Sequence, residues 1–124
     1  MNNKVFGNMV FDTGFKTATE ITLFNNDYNV VVKAKAYFEK DGVTAEQEYA
    51  FDDFRLKRGE KLIELEMMLK HYSNEASTRF VPKVLLFNRD GSYALLLDDQ
   101  QDEEGGIAAC FAPKKEVLLQ DDYL

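Results

Sequence analysis

Phe80-Val81-Pro82-Lys83-Val84-Leu85-Leu86-Phe87-Asn88-Arg89-Asp90-Gly91-Ser92-Tyr93-Ala94-Leu95-Leu96-Leu97 sets two apolar runs on either side of a turn. Asn88-Arg89-Asp90-Gly91 carries the residue types of a hairpin connection, and the flanking runs are rich in strand formers. Both runs have apolar side chains at alternating and intervening positions, so both strands are expected at the centre of a sheet, covered on two faces. Pro82 has no amide N–H to give to a ladder, which places it at the start or edge of its strand.

Upstream of this hairpin the period changes. Phe51, Phe54, Leu62, Leu65, Leu69 and Tyr72 recur at three- and four-residue steps within a stretch that holds no proline and only Gly59, the spacing of an amphipathic helix. Thr44 followed by Gln47 is a capping-box pair, in which each side chain satisfies the other residue's amide. A helical segment over 44–72 is therefore expected. As one rod it is about 40 Å long, and a kink or break near Gly59 is the alternative. Ser73 to Thr78 reads as a polar connector.

Earlier still, Val5 to Phe11 reads as a first strand. Lys16 to Phe24 reads as a second, with a parity shift that suggests a bulge. Asn25-Asn26-Asp27 reads as a turn, and Tyr28 to Phe38 alternates as a third strand, giving a one-sided antiparallel hairpin. Downstream, Asp98 to Glu104 forms an acidic loop before Gly105-Gly106. Ile107 to Phe111 then makes another strand closed by Pro113, and Glu116 to Leu119 docks as a strand or a turn. The expected fold is α+β, an antiparallel sheet of about five or six strands packed against one long or kinked helix, with residues 1–124 forming a single domain. The 45% of apolar residues, including ten Phe and six Tyr, suffices for one such core.

A formal net charge of −7 repels phosphate backbones and anionic headgroups, so neither nucleic acid nor a membrane surface is an expected partner. The chain opens without the apolar segment of a secretory signal, and its apolar runs are too short to span a bilayer. The lone Cys110 leaves no intramolecular disulfide and no multi-thiolate zinc site, which fits a reducing, cytoplasmic setting.

Among candidate sites the acidic loop stands out. Asp98, Asp99, Asp102, Glu103 and Glu104 put five carboxylates within seven residues, a field that attracts a basic protein. Their spacing is not that of an EF-hand, so a divalent metal is the lesser reading and a solvated surface the plain one. His71, the one histidine, falls at a helix end where terminal carbonyls stabilise it. Cys110, among Ala108, Ala109 and Phe111, reads as a small buried apolar residue. The carboxylate pairs Asp52/Asp53 and Glu64/Glu66 suit a helix surface, and Gly105-Gly106 lacks the lysine of a phosphate loop. No catalytic residue, metal or cofactor is expected. The aromatics crowding the first half read first as the dense packing of a small core, with an interface formed by a subset of them as the alternative.

The order of these features adds one further expectation. Ala36-Tyr37-Phe38-Glu39-Lys40-Asp41-Gly42, the helical segment, Pro82 to Leu96, the acidic loop, Gly106-Ile107-Ala108 and the ending Gln120-Asp121-Asp122-Tyr123-Leu124 resemble a family of small uncharacterised bacterial α+β proteins. Some members are regarded as immunity or accessory proteins of polymorphic toxin systems. The resemblance spans almost the whole chain and transfers no functional residue. It implies a cytosolic protein-binding domain, in one form an immunity protein that neutralises a toxin by masking its active surface. A homo-oligomeric structural or accessory protein is the alternative, and a small-ligand or divalent-metal binder the minor one.

Overall fold

The 80–97 hairpin forms, and it lies in the middle of its sheet. The computed structural model describes residues 1–124. A small ribbon of β1 (Asn2–Asn3) and β2 (Gly7–Asn8) precedes β3 (Val10–Phe11), β4 (Phe15–Leu23) and β5 (Asn26–Ala34). A 3-10 turn, Glu39–Asp41, leads to α1 (Ala45–Leu56), α2 (Arg58–Tyr72) and α3 (Ala76–Arg79). The chain then forms β6 (Phe80–Phe87), β7 (Tyr93–Asp99), β8 (Asp102–Ala112), β9 (Glu116–Leu119) and the short α4 (Gln120–Tyr123). Seven strands make one sheet in the order β3-β4-β5-β6-β7-β8-β9. Every neighbouring pair in it is antiparallel except β5 and β6, which run parallel.

These facts correct the expected architecture while leaving it of the α+β kind. The sheet has seven strands rather than five or six because Glu116–Leu119 pairs as a strand, and the expected first strand Val5–Phe11 is broken: Gly7–Asn8 pairs with Asn2–Asn3 in a separate two-stranded sheet, and Val10–Phe11 forms the β3 edge. It is mixed rather than antiparallel: the helices carry the chain from the end of β5 back to the start of its neighbour β6, and a crossover of that kind delivers a parallel strand. Four separate helices replace the single long one. The first break falls at Lys57, with φ −117° and ψ 25°, between α1 and α2. Arg58 stands one helical step after Phe54 and before Leu62, where an apolar residue would continue the buried face. Its guanidinium instead lies 5.4 Å from the centre of the Phe54 ring and reaches β4, bonding Glu20 O at 2.7 Å and Thr19 Oγ1 at 2.9 Å.

Two strand expectations also change. β4 pairs with β5 from Phe15 opposite Ala34 to Leu23 opposite Asn26 without a bulge. Its core face is odd-numbered, Phe15, Ile21 and Leu23, while Ala18 faces out and Phe24 belongs to the turn. Phe24 and Asn25 both have positive φ, 51° and 64°, as a two-residue hairpin requires. The unusual Phe24 backbone is held by the Glu66 carboxylate, which accepts its N–H at 2.7 Å. β5 ends at Ala34, not Phe38, and Tyr37 and Phe38 stand in solvent.

One cluster of buried residues fills the space between the sheet and α1–α2. Rings run through it from Phe6 stacked on Phe51 at 4.6 Å, through Phe87 stacked on Tyr93 at 4.8 Å, to Phe111 at 5.0 Å from Tyr93. In β6 a bulge between Pro82 and Val84 changes the parity, so Phe80 and then Leu85 and Phe87 all face this core. The reverse face of the sheet is only partly covered. Ala94, Ala108 and Cys110 are buried there, with Leu96, Leu118 and Tyr123 partly buried against them, whereas the outer face of β4 is largely exposed. Gly106 lets the tail cross β7 and β8: a Cβ there would come within 2.7 Å of Leu97 O and into the Gln120 amide, which donates to Leu97 O at 2.9 Å. No helix is long and apolar enough to cross a membrane.

The Thr44–Gln47 capping box is present, and it does more than end a helix. Gln47 N donates to Thr44 Oγ1 at 3.1 Å and Thr44 N to Gln47 Oε1 at 2.9 Å. Gln47, fully buried, also donates through Nε2 to Lys35 O at 3.0 Å and Phe87 O at 3.1 Å, just beyond the parallel pair. Replacing Gln47 with Leu removes these bonds from a buried position. The expected loss is about 2 kcal/mol of unfolding free energy, read from urea denaturation. A cost near zero would show that these bonds do not hold the crossover.

Candidate functional site

The acidic segment is not a loose loop. Asp98 and Asp99 end β7, Asp102 to Glu104 begin β8, and Gln100-Gln101 turns between them. The five carboxylates have different fates. Asp99 is buried and accepts two bonds from Arg79, at 2.9 Å from both Nε and Nη2, and a third from Gln101 N at 2.9 Å. The Arg79 bonds, aided by the Gln101 amide, hold the Asp99 carboxyl below its usual value, and the same carboxylate raises Arg79. Gln100 N adds a bond to Arg79 O at 2.8 Å, so α3 and the hairpin are clasped together.

Asp98 lies 4.0 Å from Lys83, both side chains more than half exposed, a weak surface pair. Asp102, Glu103 and Glu104 are exposed, and none of the three is ion-paired. Thus the structure gathers Asp98, Asp102, Glu103 and Glu104 at the surface of one hairpin and turns Asp99 inward. Sequence spacing carried no sign of that division, because Asp99's partner is twenty residues away.

His71 is exposed in the last turn of α2, with Lys70 beside it in sequence. Cys110 is buried on the reverse face of the sheet, and burial, with Glu116 adding to it, raises its thiol above the ordinary value. A raised thiol stays protonated at neutral pH and is a poor nucleophile. No group of three or more His, Cys, Asp or Glu side chains is placed to hold a metal ion.

At the other end of the strands lies a feature that the sequence reading did not select. β5 and β6 finish side by side there, and the segments that follow them border a groove of about 610 Å³. Crevices beyond the carboxyl ends of parallel strands are a recurrent ligand position. The turn that follows β6 leans on α1: Gly91, at φ 90°, sits where a Cβ would come within 3.0 Å of Glu46 O. Arg89 ties both segments together, donating through Nη1 to Lys35 O at 3.0 Å and Gly42 O at 2.6 Å. Lys33 and Lys35 stand two apart on the reverse face of β5 and its extension, and Lys16 is paired with Lys33 across β4–β5. The signal available in the sequence was the 33/35 alternation, which remains a plain surface pattern until β6 is known to lie alongside.

The chain matches no family model, no curated protein and no solved structure.

Asp99 supplies a pH test. A carboxyl lowered in the fold contributes stability that is present above its ordinary value, near 4, and is lost as pH falls through the folded value. Asp99→Asn should therefore be less stable at pH 7 and lose less on acidification below about pH 4. Asp53, Glu64 and Asp90, held low by Lys61, Lys115 and Ser92 respectively, leave a residual slope in the variant. Urea midpoints measured from pH 7 to pH 3 check this; parallel curves for the two proteins would refute it.

Proposed function

We propose that this chain is a cytosolic protein-binding domain whose partner presents a basic surface. Neutralisation of a toxin by masking is the form of such binding that the resemblance implies. The observation that carries the reading is the gathering of Asp98, Asp102, Glu103 and Glu104 at the surface of a hairpin clasped by Arg79 and Asp99. Their combined field speeds encounter with a cationic surface. Such steering fades as salt shortens the Debye length.

A second reading, self-association as a structural or accessory protein, rests on the outer side of the helical layer. Tyr49, Leu56, Ile63 and Met67 are exposed there at 74%, 84%, 60% and 66%. Tyr49 and Leu56 stand seven residues apart on α1, and Ile63 and Met67 four apart on α2, so each of the two helices carries a pair on one exposed face. Apolar side chains gathered in this way more often mark an interface than isolated ones do.

The deciding experiment is capture of cytosolic proteins on the tagged chain at low and high salt, followed by kinetics on the retained partner. A single basic partner lost at high salt is expected. Asp98→Asn/Asp102→Asn/Glu103→Gln/Glu104→Gln should slow association about tenfold with no change in unfolding midpoint. Unchanged kinetics in this variant would remove the hairpin from the interface. Self-association is checked by light scattering across concentration: a dimer abolished by Leu56→Glu/Ile63→Glu supports it, and a monomer throughout rules it out.

A further inference from the structure

Lys33, Lys35 and Arg89 all border the groove beyond the parallel pair, yet none of them is ion-paired. In a chain of net charge −7, that makes a positive corner. The charge is also fixed in position. Arg89 is held on three backbone carbonyls, Lys35 O and Gly42 O from Nη1 and Asp41 O from Nη2 at 3.3 Å, so its guanidinium is anchored without being neutralised.

Burial, and then the neighbouring Lys16 and Lys35, push the Lys33 ammonium below its usual value; Asp12 offsets part of this. An arriving anion would relieve that repulsion. The acid that borders the groove, Asp90, is turned into its own turn, accepting Ser92 N at 2.9 Å and Ser92 Oγ at 2.7 Å. Tyr123 also borders the groove, and its Oη accepts the Asn88 amide at 3.0 Å, which leaves the phenolic proton without a partner of its own.

We propose that this groove is a binding site for a compact multivalent oxyanion, a phosphate ester or polycarboxylate, held by the Lys33 and Lys35 ammonium groups and the Tyr123 hydroxyl in the fixed field of Arg89. About 610 Å³ lies within the usual range for small-ligand sites. A long polyanion is disfavoured, because beyond this corner the chain's excess of acids repels it. The site is at the opposite end of β7 from the acidic hairpin, so it is independent of the proposed partner interface.

The test is titration of the isotope-labelled full chain with inorganic pyrophosphate and with citrate, at constant ionic strength against chloride, followed by amide chemical shifts. Saturable shifts are expected at residues 33–37, 88–92 and 123. Saturation by pyrophosphate alone would identify the phosphate class, and by citrate alone the polycarboxylate class; either supports the site. Lys33→Gln/Lys35→Gln should weaken binding about tenfold or more at unchanged unfolding midpoint, and the hairpin variant should bind as the parent does. Absence of saturable shifts up to about 10 mM of both probes, or equal binding by the double lysine variant, would overturn the proposal without touching the partner reading.

Discussion

Gln47 is the point on which the two halves of this molecule meet. Its amide reaches the carbonyls of Lys35 and Phe87, and its oxygen receives the amide of Thr44. A parallel strand pair has no tight turn to hold it in register, since the chain leaves at one end and returns at the other. Here the return passes through α1, and the residue that caps α1 also bonds the two strand ends. Burying a primary amide is costly unless its bonds are made. With them made, it fixes where the helical layer starts relative to the sheet.

From that joint the rest of the packing follows. Phe51 and Phe54, one and two turns further along α1, descend onto Phe87, Tyr93 and Phe111 of three adjacent strands. The bulge at Pro82–Val84 brings Phe87 to this face as well as Phe80. Tyr93 stacks between Phe87 and Phe111 so closely that its hydroxyl is buried without a hydrogen-bond partner. Burial, with Asp53 adding to it, drives that phenol well above its ordinary value. The arrangement places ring packing above polar satisfaction at the centre of the sheet.

The same topology separates charge. β7 runs from the turn beside Arg89 to the acidic hairpin, so strand length alone sets the two features at opposite ends. The acidic end is clasped by the partly buried Arg79–Asp99 pair, and at the cationic end Arg89 is anchored on neutral carbonyls. The exposed carboxylates thus stand at one end of β7 and the cations bordering the groove at the other.

Much of this was legible in local sequence. The central hairpin with its turn, the capping box and the helical character of 44–72 each rest on residues close together in the chain, where turn chemistry, capping and period act without reference to anything distant. The apolar content of both hairpin strands likewise announced burial on two faces, and β6 and β7 are interior strands. What only the tertiary structure decided involved pairs far apart in sequence. Whether β6 joined β5 in parallel, whether Phe24 turned or paired, and which carboxylate of the 98–104 segment was spent on Arg79 all depended on which surfaces met. Two of these residues show the limit: Asp99 carries the same chemistry as Asp98, and Lys35 the same as Lys83. Local pattern states what a side chain can do, but its assignment to core, clasp or groove requires the partner that long-range packing brings beside it.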